Sequence, residues 1–159
     1  MTLQSTPPAT DAVTFRGESA PALRVVGERV TPLLDEAIGA TAYEVFDATG
    51  PEGSGPPPHS HPWDEGYVVI EGRLAVVDWS GSLEEPTEQV LNPGGSAFVP
   101  GGTTHSFQVR SDRCRFFIVT TPGAHAFFAD AEKTVGDNTE DLDTLISVAK
   151  RNGLSSPLF

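Results

Sequence analysis

Residues 55–72, GPPPHSHPWDEGYVVIEG, place two histidines one residue apart and a carboxylate four residues after the second histidine. Residues two apart in an extended segment point to the same side, so one metal ion could take the imidazoles of both His59 and His61. Glu65 would return to the same place through the bend at residues 62–64. Two neutral imidazoles and a carboxylate are a normal mixed ligand set for a divalent first-row metal. The alternative is a surface turn with incidental histidines, and this stretch alone leaves both interpretations open.

A second stretch favours the metal site. The three prolines at residues 56–58 restrict the backbone that leads into His59, which suits a site that must hold its ligands to within about half an ångström. Residues 100–105, PGGTTH, then place His105 at the start of an apolar strand after a glycine-rich turn. The chain contains four histidines, and three of them fall in these two short stretches flanked by strand-like sequence. Incidental histidines would rarely be distributed in this way.

The elements around these residues are predicted to be mostly short strands. The strongest β pattern is at residues 67–80, where a break at residues 71–72 predicts a hairpin turn or a bulge. Strands separated by turn residues at a spacing of roughly 8–12 residues are typical of a sandwich or barrel. The other strand-like runs lie at residues 40–48, 87–91, 96–100, 105–110 and 114–121.

The last third of the chain has helical periodicity instead. Residues 124–135 and 143–153 carry apolar side chains at helical spacing, with Asp141 or Asp143 near the start of the second helix and Gly153 just after its end. These two segments are candidates to cover the mouth of a barrel. The remaining histidine, His125, belongs to neither motif, and we interpret it as a surface or helix-start residue, with a place at a pocket edge as the alternative.

Composition limits the class of protein. A chain of 159 residues is one domain on length alone, and its formal net charge of −12 argues against nucleic acid and anionic membranes as partners. The single cysteine, Cys114, permits no intrachain disulfide, and we expect it to be a small buried apolar residue. The apolar runs are too short to cross a membrane, and the N-terminus lacks the basic-then-apolar order of a signal peptide. We therefore expect a cytoplasmic protein.

Both histidine stretches resemble the two signature motifs of the cupin superfamily. The first has Gly53, five residues, His-x-His, three residues, Glu65, six residues and Gly72; the second has Gly94, five residues, and Pro-x-Gly-x-x-His105. The resemblance implies an all-β fold, the double-stranded β-helix or jelly-roll barrel, with short C-terminal helices. We divide the chain accordingly into a flexible N-terminal arm, the cupin barrel, and a helical segment packed on the barrel, at residues 1–12, 13–125 and 126–159.

The resemblance also implies a ligand set and a reaction. In cupins the motif residues bind one divalent transition metal per chain (Fe, Ni, Mn, Co, Cu or Zn), and here these are His59, His61, Glu65 and His105. The stretches FVPGGTTHSF, FFIVTTPGAHAFF and AKRNGLSSPLF are similar to those of small single-domain bacterial cupins of the quercetin-dioxygenase-like type. In flavonol-cleaving relatives the ligand glutamate takes the proton of the substrate hydroxyl. By that similarity Glu65 is the catalytic residue of a metal-dependent dioxygenase that acts on a flavonol-like or other enol-bearing aromatic molecule.

Two other functions stay open: a cyclase, isomerase or lyase of the polyketide type, and a non-enzymatic module that binds a small ligand or senses metal. An apolar or aromatic small molecule would need a pocket with aromatic walls, while for each candidate wall residue ordinary barrel core is the alternative. Cupins of this size usually form homodimers, and residues 23–30 could supply the contact edge. The pocket candidates are Tyr43 or Phe46, Trp63, Phe98, Phe107, and Phe116 or Ile118.

Overall fold

Two antiparallel sheets form the body of the protein, which is known from a computed structural model that describes residues 12–138 and 140–159. The predicted N-terminal arm, apart from Ala12, lies outside the described residues. The strands in chain order are β1 (Leu23–Val25), β2 (Glu28–Leu34), β3 (Glu44–Pro51), β4 (Glu65–Glu71), β5 (Leu74–Asp78), β6 (Thr87–Leu91), β7 (Ser96–Val99), β8 (His105–Val109) and β9 (Arg113–Thr120). One sheet has the order β1-β2-β3-β9-β4-β7 and the other the order β6-β5-β8. This architecture confirms the predicted all-β jelly-roll barrel.

The predicted hairpin at residues 71–72 is wrong. β4 pairs with β7 and β9, whereas β5 pairs with β6 and β8, so the chain crosses here from one sheet to the other. Gly72 has φ +79°, and a Cβ at this position would come within 2.3 Å of the Arg113 carbonyl oxygen. A bulge does occur next to the crossing, because the register between β4 and β9 shifts between Val69 and Glu71.

Strand alternation directs the site residues into the barrel. In β4, Glu65, Tyr67 and Val69 are buried and the residues between them are not, as expected for a strand with one face on the core. His105 and Phe107 are also buried at the start of β8, together with Ser106 between them. Edge-to-face contacts between aromatic rings fill the barrel beneath these residues: the ring centroids of Tyr67, Phe107 and Phe116 are 5.3–6.2 Å apart.

Two short helices follow the strands, α1 (Ala124–Thr134) and α2 (Leu142–Arg151). Phe128 of α1 packs edge-to-face on Phe46 of β3, with 5.0 Å between the ring centroids. Asp141, and not Asp143, caps α2, since its carboxylate accepts a hydrogen bond from the Thr144 amide. Among the described residues no helix has both the length and the apolar character that a membrane crossing requires.

Helix α1 also covers the free edge of the six-stranded sheet. Glu132 accepts a hydrogen bond from the backbone N–H of Arg24 in β1 and pairs with the guanidinium group of the same residue at 3.1 Å. This N–H is therefore not available for pairing with a strand of a second copy. A homodimer remains an expectation, and its contact would have to use other groups of residues 23–30 or another surface.

The histidine stretch before β4 is an added strand-like segment at the edge of β8. His59 and His105 exchange both backbone hydrogen bonds, at 3.0 and 2.9 Å. Ser60 does the same with Ser155 at 2.7 and 2.9 Å, and the Ser156 hydroxyl donates to the Pro58 carbonyl at 2.6 Å. The end of the chain thus holds the outer side of the segment that carries His59.

Gly55 allows this segment to approach β8 closely. Its φ is +146°, and a Cβ there would lie 1.9 Å from the carbonyl oxygen of Phe107. Gly53 also has a positive φ, +81°, but a Cβ on it would meet no atom within 4 Å. A side chain at residue 53 would therefore be opposed only by the backbone conformation, whereas a side chain at residue 55 would also have no space.

We expect the substitution Gly55→Ala to destabilise the fold far more than Gly53→Ala. The alanine at residue 53 costs about 1 kcal/mol for its left-handed backbone, whereas the alanine at residue 55 must also push the proline segment off β8, at a cost of about 3 kcal/mol or more. Urea-induced unfolding followed by circular dichroism measures both. Equal losses in the two variants would contradict the close approach.

Candidate metal centre

Three histidines meet at one end of the barrel. The side-chain nitrogens that His59, His61 and His105 can offer to an ion lie within 4.8 Å of one another. Two of the rings come from the added segment and the third from the first residue of β8, and the backbone pairing of His59 with His105 brings the two motifs side by side. His61 and His105 are 4% and 1% exposed, so the cluster is largely shielded from solvent. These three residues could hold a metal ion.

The hydrogen bonds of the rings select one tautomer. In each histidine, Nδ1 lies within hydrogen-bond distance of a backbone carbonyl oxygen two residues away in the sequence. A carbonyl can only accept, so Nδ1 carries the proton, and Nε2 of the neutral ring has a free lone pair. This is the arrangement in which outer hydrogen bonds orient an imidazole ligand. The contacts are His59 with Pro57 at 2.9 Å, His61 with Trp63 at 2.9 Å, and His105 with Thr103 at 2.8 Å.

Glu65 adds a carboxylate beside His61 and His105. Its Oε2 lies 2.8 Å from Nε2 of His61 and 3.1 Å from Nε2 of His105. Burial alone would raise the pKa of Glu65, but the contacts with His105 and His61, each able to share a proton between Nε2 and the carboxylate, outweigh burial and hold this pKa well below its ordinary value. Burial and the neighbouring His105 together lower the pKa of His59 to about 4. The site therefore favours a charged carboxylate beside a neutral His59.

This donor set fits a cation. With the protons of the rings committed to Nδ1, the inward-facing atoms of the neutral histidines are lone pairs, and Glu65 offers only lone pairs as well. Such atoms repel one another at hydrogen-bond distance unless a proton or a metal ion lies between them. Imidazole nitrogens with one carboxylate oxygen are suitable ligands for several divalent transition metals, so the donor chemistry agrees with a metal and leaves its identity open.

Trp63 supports the cluster from behind. Its ring stacks on His61 with 4.3 Å between the centroids and 9° between the planes, and the side chain is 5% exposed. Gly123, before α1, makes room for it, since a Cβ there would come within 2.8 Å of the indole. The indole thus orients a histidine ring.

An apolar cavity of about 290 Å³ opens beside His59. Phe107 of β8 and Phe127 of α1 contribute aromatic wall, and Ile146 of α2 and Leu158 near the C-terminus contribute aliphatic wall. Both C-terminal segments therefore cover the barrel mouth on this side. Among the described residues that line the cavity, Glu28 and His59 are the ones with ionisable side chains.

The predicted pocket residues are spread over several places in the structure. Phe107 lines the cavity, Trp63 stacks on His61, and Phe116 and Ile118 are buried in the barrel core. The structure places Tyr43 and Phe98 outside the cavity, with 50% and 68% of their surface exposed. The reason is strand geometry: Tyr43 precedes β3, and Phe98 pairs with Gly66 on the outer face of the six-stranded sheet. Phe46, the alternative to Tyr43, is fully buried against α1.

His125 lies apart from the cluster. It is in the first turn of α1, and its Nδ1 is 3.5 Å from the carboxylate of Asp35. It lines a second cavity of about 460 Å³ whose lining shares no residue with the first. The interpretation as a helix-start residue agrees with this position, which also lies at the edge of a pocket, but not of the pocket beside the histidine cluster.

Sequence reasoning missed Glu28. It lies at the start of β2 on the inward face and is 6% exposed. Val30, two residues later on the same face, is buried as well. Burial raises the pKa of Glu28 to about 8, although the nearby Ser54 hydroxyl lowers it in part. An acidic residue two positions before a core valine was the available signal, but periodicity alone does not show that a cavity lies in front of it.

We expect Glu28 to make folding stability fall as pH rises. Its carboxyl ionises near pH 4.5 in the unfolded chain and near pH 8 in the folded one, so between these values the unfolded state binds fewer protons and gains in relative stability. Compared with Glu28→Gln, wild-type protein in EDTA should lose on the order of 3 kcal/mol between pH 5 and pH 8. Urea unfolding at both pH values measures the difference. Parallel pH profiles of the two proteins would show that this carboxyl is not held neutral.

Comparison with known proteins agrees with this fold. Residues 47–120 match the family model for the cupin domain. A comparison with curated proteins gives no match.

Among solved structures, the polyketide cyclase RemF from Streptomyces resistomycificus is similar, with a TM-score of 0.53 and 24% identity over 71% of this chain and 75% of that one. KdgF from Halomonas sp. has a TM-score of 0.51 and 17% identity over 60% of this chain and 81% of that one. An oxalate oxidase has a TM-score of 0.51 and 23% identity over 60% of this chain and 51% of that one. At these identities the likeness concerns the fold. Residues 47–120, which match the family model for the cupin domain, thus hold both histidine motifs on a jelly-roll barrel.

Proposed function

We propose that the protein is a metal-dependent enzyme in which His59, His61, His105 and Glu65 bind one divalent transition metal. The observation that carries this proposal is the proton arrangement of the cluster: each Nδ1–H bonds outward to a carbonyl, and the inward-facing Nε2 atoms of His61 and His105 lie against a carboxylate. A metal ion satisfies all four groups at once.

The ligand set leaves room for a substrate. Three histidines and one carboxylate do not complete a five- or six-coordinate sphere, and an open position distinguishes catalytic sites from closed structural ones. When bound, such an ion supplies a Lewis acid for an enol oxygen and, if it is redox active, a path for electrons to O₂. The chain itself supplies a buried carboxylate, oriented imidazoles and a shielded cavity.

We further propose a dioxygenase that acts on a flavonol-like or other enol-bearing aromatic molecule. The cavity beside His59 is mostly apolar and has three phenylalanines in its wall, Phe107, Phe127 and Phe159, which suits a flat, weakly polar ring system. Glu65 is 5% exposed and lies beside two of the proposed ligands. By the resemblance to flavonol-cleaving cupins, we assign it the role of taking the proton of a substrate hydroxyl.

The metal assignment predicts that His105→Ala loses bound metal and His125→Ala does not. Removal of one of four ligands should weaken metal binding more than tenfold, whereas His125 lies in a different cavity. Elemental analysis of both variants after dialysis against equimolar metal measures the metal per chain. A folded His105→Ala protein that keeps wild-type metal content would refute the ligand set.

The dioxygenase assignment predicts O₂ uptake with flavonols. After loading with each candidate metal in turn, the protein should consume O₂ with at least one compound in a panel of flavonols and enediols. Glu65→Gln, which keeps an oxygen donor but cannot act as a base, should slow the uptake about 100-fold at similar metal content. Tight metal binding without O₂ uptake from any compound would exclude a dioxygenase of this substrate class.

A polyketide-type cyclase, isomerase or lyase is the second candidate. Glu28 favours it, because a second acid in the cavity wall serves acid–base chemistry and a dioxygenase does not require it. The fold likeness to a polyketide cyclase is in keeping with this candidate. In the same assay without O₂, incorporation of solvent deuterium into the substrate would support it. Metal binding with neither O₂ uptake nor deuterium exchange would leave a non-enzymatic module that binds a ligand or senses metal.

A further inference from the structure

We propose that Glu28 is a second substrate-contacting group, whose neutral carboxyl donates a hydrogen bond to an oxygen atom of the ligand. The ligand would be an aromatic molecule with at least two oxygen atoms, one for the histidine cluster and one for Glu28. This inference rests on the proposed function and narrows its substrate class, since it adds a second polar anchor to an otherwise apolar cavity.

The first observation is that Glu28 has an orphan atom. Its Oε1 is buried and has no hydrogen-bond partner among residues 12–138 and 140–159, while its side chain forms part of the cavity wall. A buried polar atom without a partner costs free energy, so such atoms are rare in folded proteins unless a ligand or water satisfies them. The orphan atom lies where a bound molecule could reach it.

The second observation is that the same sheet satisfies its other buried carboxyls. Glu44 of β3 is 7% exposed, and its Oε1 is within hydrogen-bond distance of the Thr120 hydroxyl and the amides of Gly123 and His125, at 3.1–3.2 Å. Asp35 accepts from Arg16 at 2.8 Å and from the Ala37 amide at 3.0 Å. An unpaired carboxyl is thus peculiar to the cavity and is not a general property of this barrel.

The backbone behind Glu28 is adapted to it. A Cβ on Gly50 of β3 would come within 3.1 Å of Glu28 Cγ and within 2.4 Å of the Ser54 hydroxyl oxygen. The glutamate stem therefore packs over a glycine, and Ser54 donates its own hydrogen bond to the Pro51 carbonyl at 2.8 Å. These contacts limit the space on the β3 side and leave the cavity as the open direction for the carboxyl.

The cavity offers Glu28 no cationic partner. The described lining contains no lysine or arginine, so no basic side chain there holds the carboxyl in its charged form. Burial keeps Glu28 protonated near neutral pH. A neutral carboxyl offers one O–H donor and a carbonyl acceptor.

The test uses two probes that differ by one oxygen atom, 2-naphthol and naphthalene. The full-length protein, as purified and after dialysis against EDTA, is titrated with each probe at pH 6.5, and binding is followed by probe fluorescence. We expect wild-type protein to bind 2-naphthol about fivefold more tightly than naphthalene in both preparations, as one net hydrogen bond would give. Glu28→Leu should abolish this preference without weakening the binding of naphthalene.

Two further variants make the result specific. Glu28→Gln can still donate a hydrogen bond from its amide and should keep most of the preference. Glu44→Gln, the matched change at a satisfied carboxyl outside the cavity, should leave both affinities unchanged. If Glu28→Leu does not fold, as judged by circular dichroism, Glu28→Met takes its place as an unbranched apolar side chain.

The preference for 2-naphthol would overturn the inference if it persisted in the Leu or Met variant. Absence of binding of both probes to wild-type protein would also overturn it, because the cavity would then not accept an aromatic molecule. These outcomes are separate from those for the proposed function. The EDTA-treated protein can prefer 2-naphthol because of Glu28 even if the metal or O₂ assays fail. Equally, those assays can succeed although the preference for 2-naphthol does not depend on Glu28.

Discussion

The paired backbone hydrogen bonds between His59 and His105 are the interaction on which the functional centre depends. They join two motifs that are far apart in the chain and bring the rings of His59 and His105 to 4.5 Å between their centroids. The close approach at Gly55 permits the pairing from one side, and the Ser60–Ser155 pair supports it from the other. A segment without regular strand structure of its own is thus held as firmly as a strand, which a site of fixed geometry requires.

The buried carboxyls of the barrel differ in the groups that surround them. Glu65 keeps its charge because two imidazoles face it, and Glu44 is satisfied by one hydroxyl and the first amides around helix α1. Oε1 of Glu28 has no hydrogen-bond partner among the described residues, and burial favours the neutral form of this carboxyl. Three buried glutamates of one sheet therefore differ in their partners, and the partners decide what each carboxyl can do.

The fold does not determine the reaction. Solved structures with the same architecture include a polyketide cyclase and an oxalate oxidase, and the same barrel can host unrelated chemistry. What separates the candidates is the site: the proposed ligand set is common to Lewis-acid and redox mechanisms, whereas the cavity wall, with three phenylalanines and one glutamate, restricts the molecule that is bound.

The sequence by itself determined the barrel and the three-histidine cluster. Residues 87–91 were predicted as a strand and form β6 with the same bounds, and alternation placed the rings of His59 and His61 on one side of their segment. These features are local, since alternation along one strand decides which side chains share a face. His105 joined the predicted set through the resemblance to the cupin motifs.

Only the tertiary structure decided what surrounds the cluster. Periodicity could not predict the pocket, because alternation predicts whether a side chain points inward or outward but not which inward side chains face a cavity. Tyr43 and Phe98 therefore lie outside it, and Glu28 lies in its wall. The chain crosses between the sheets after β4 for a similar reason. Each strand pairs with strands that are distant in the sequence, and the packing of the whole barrel determines which strands these are.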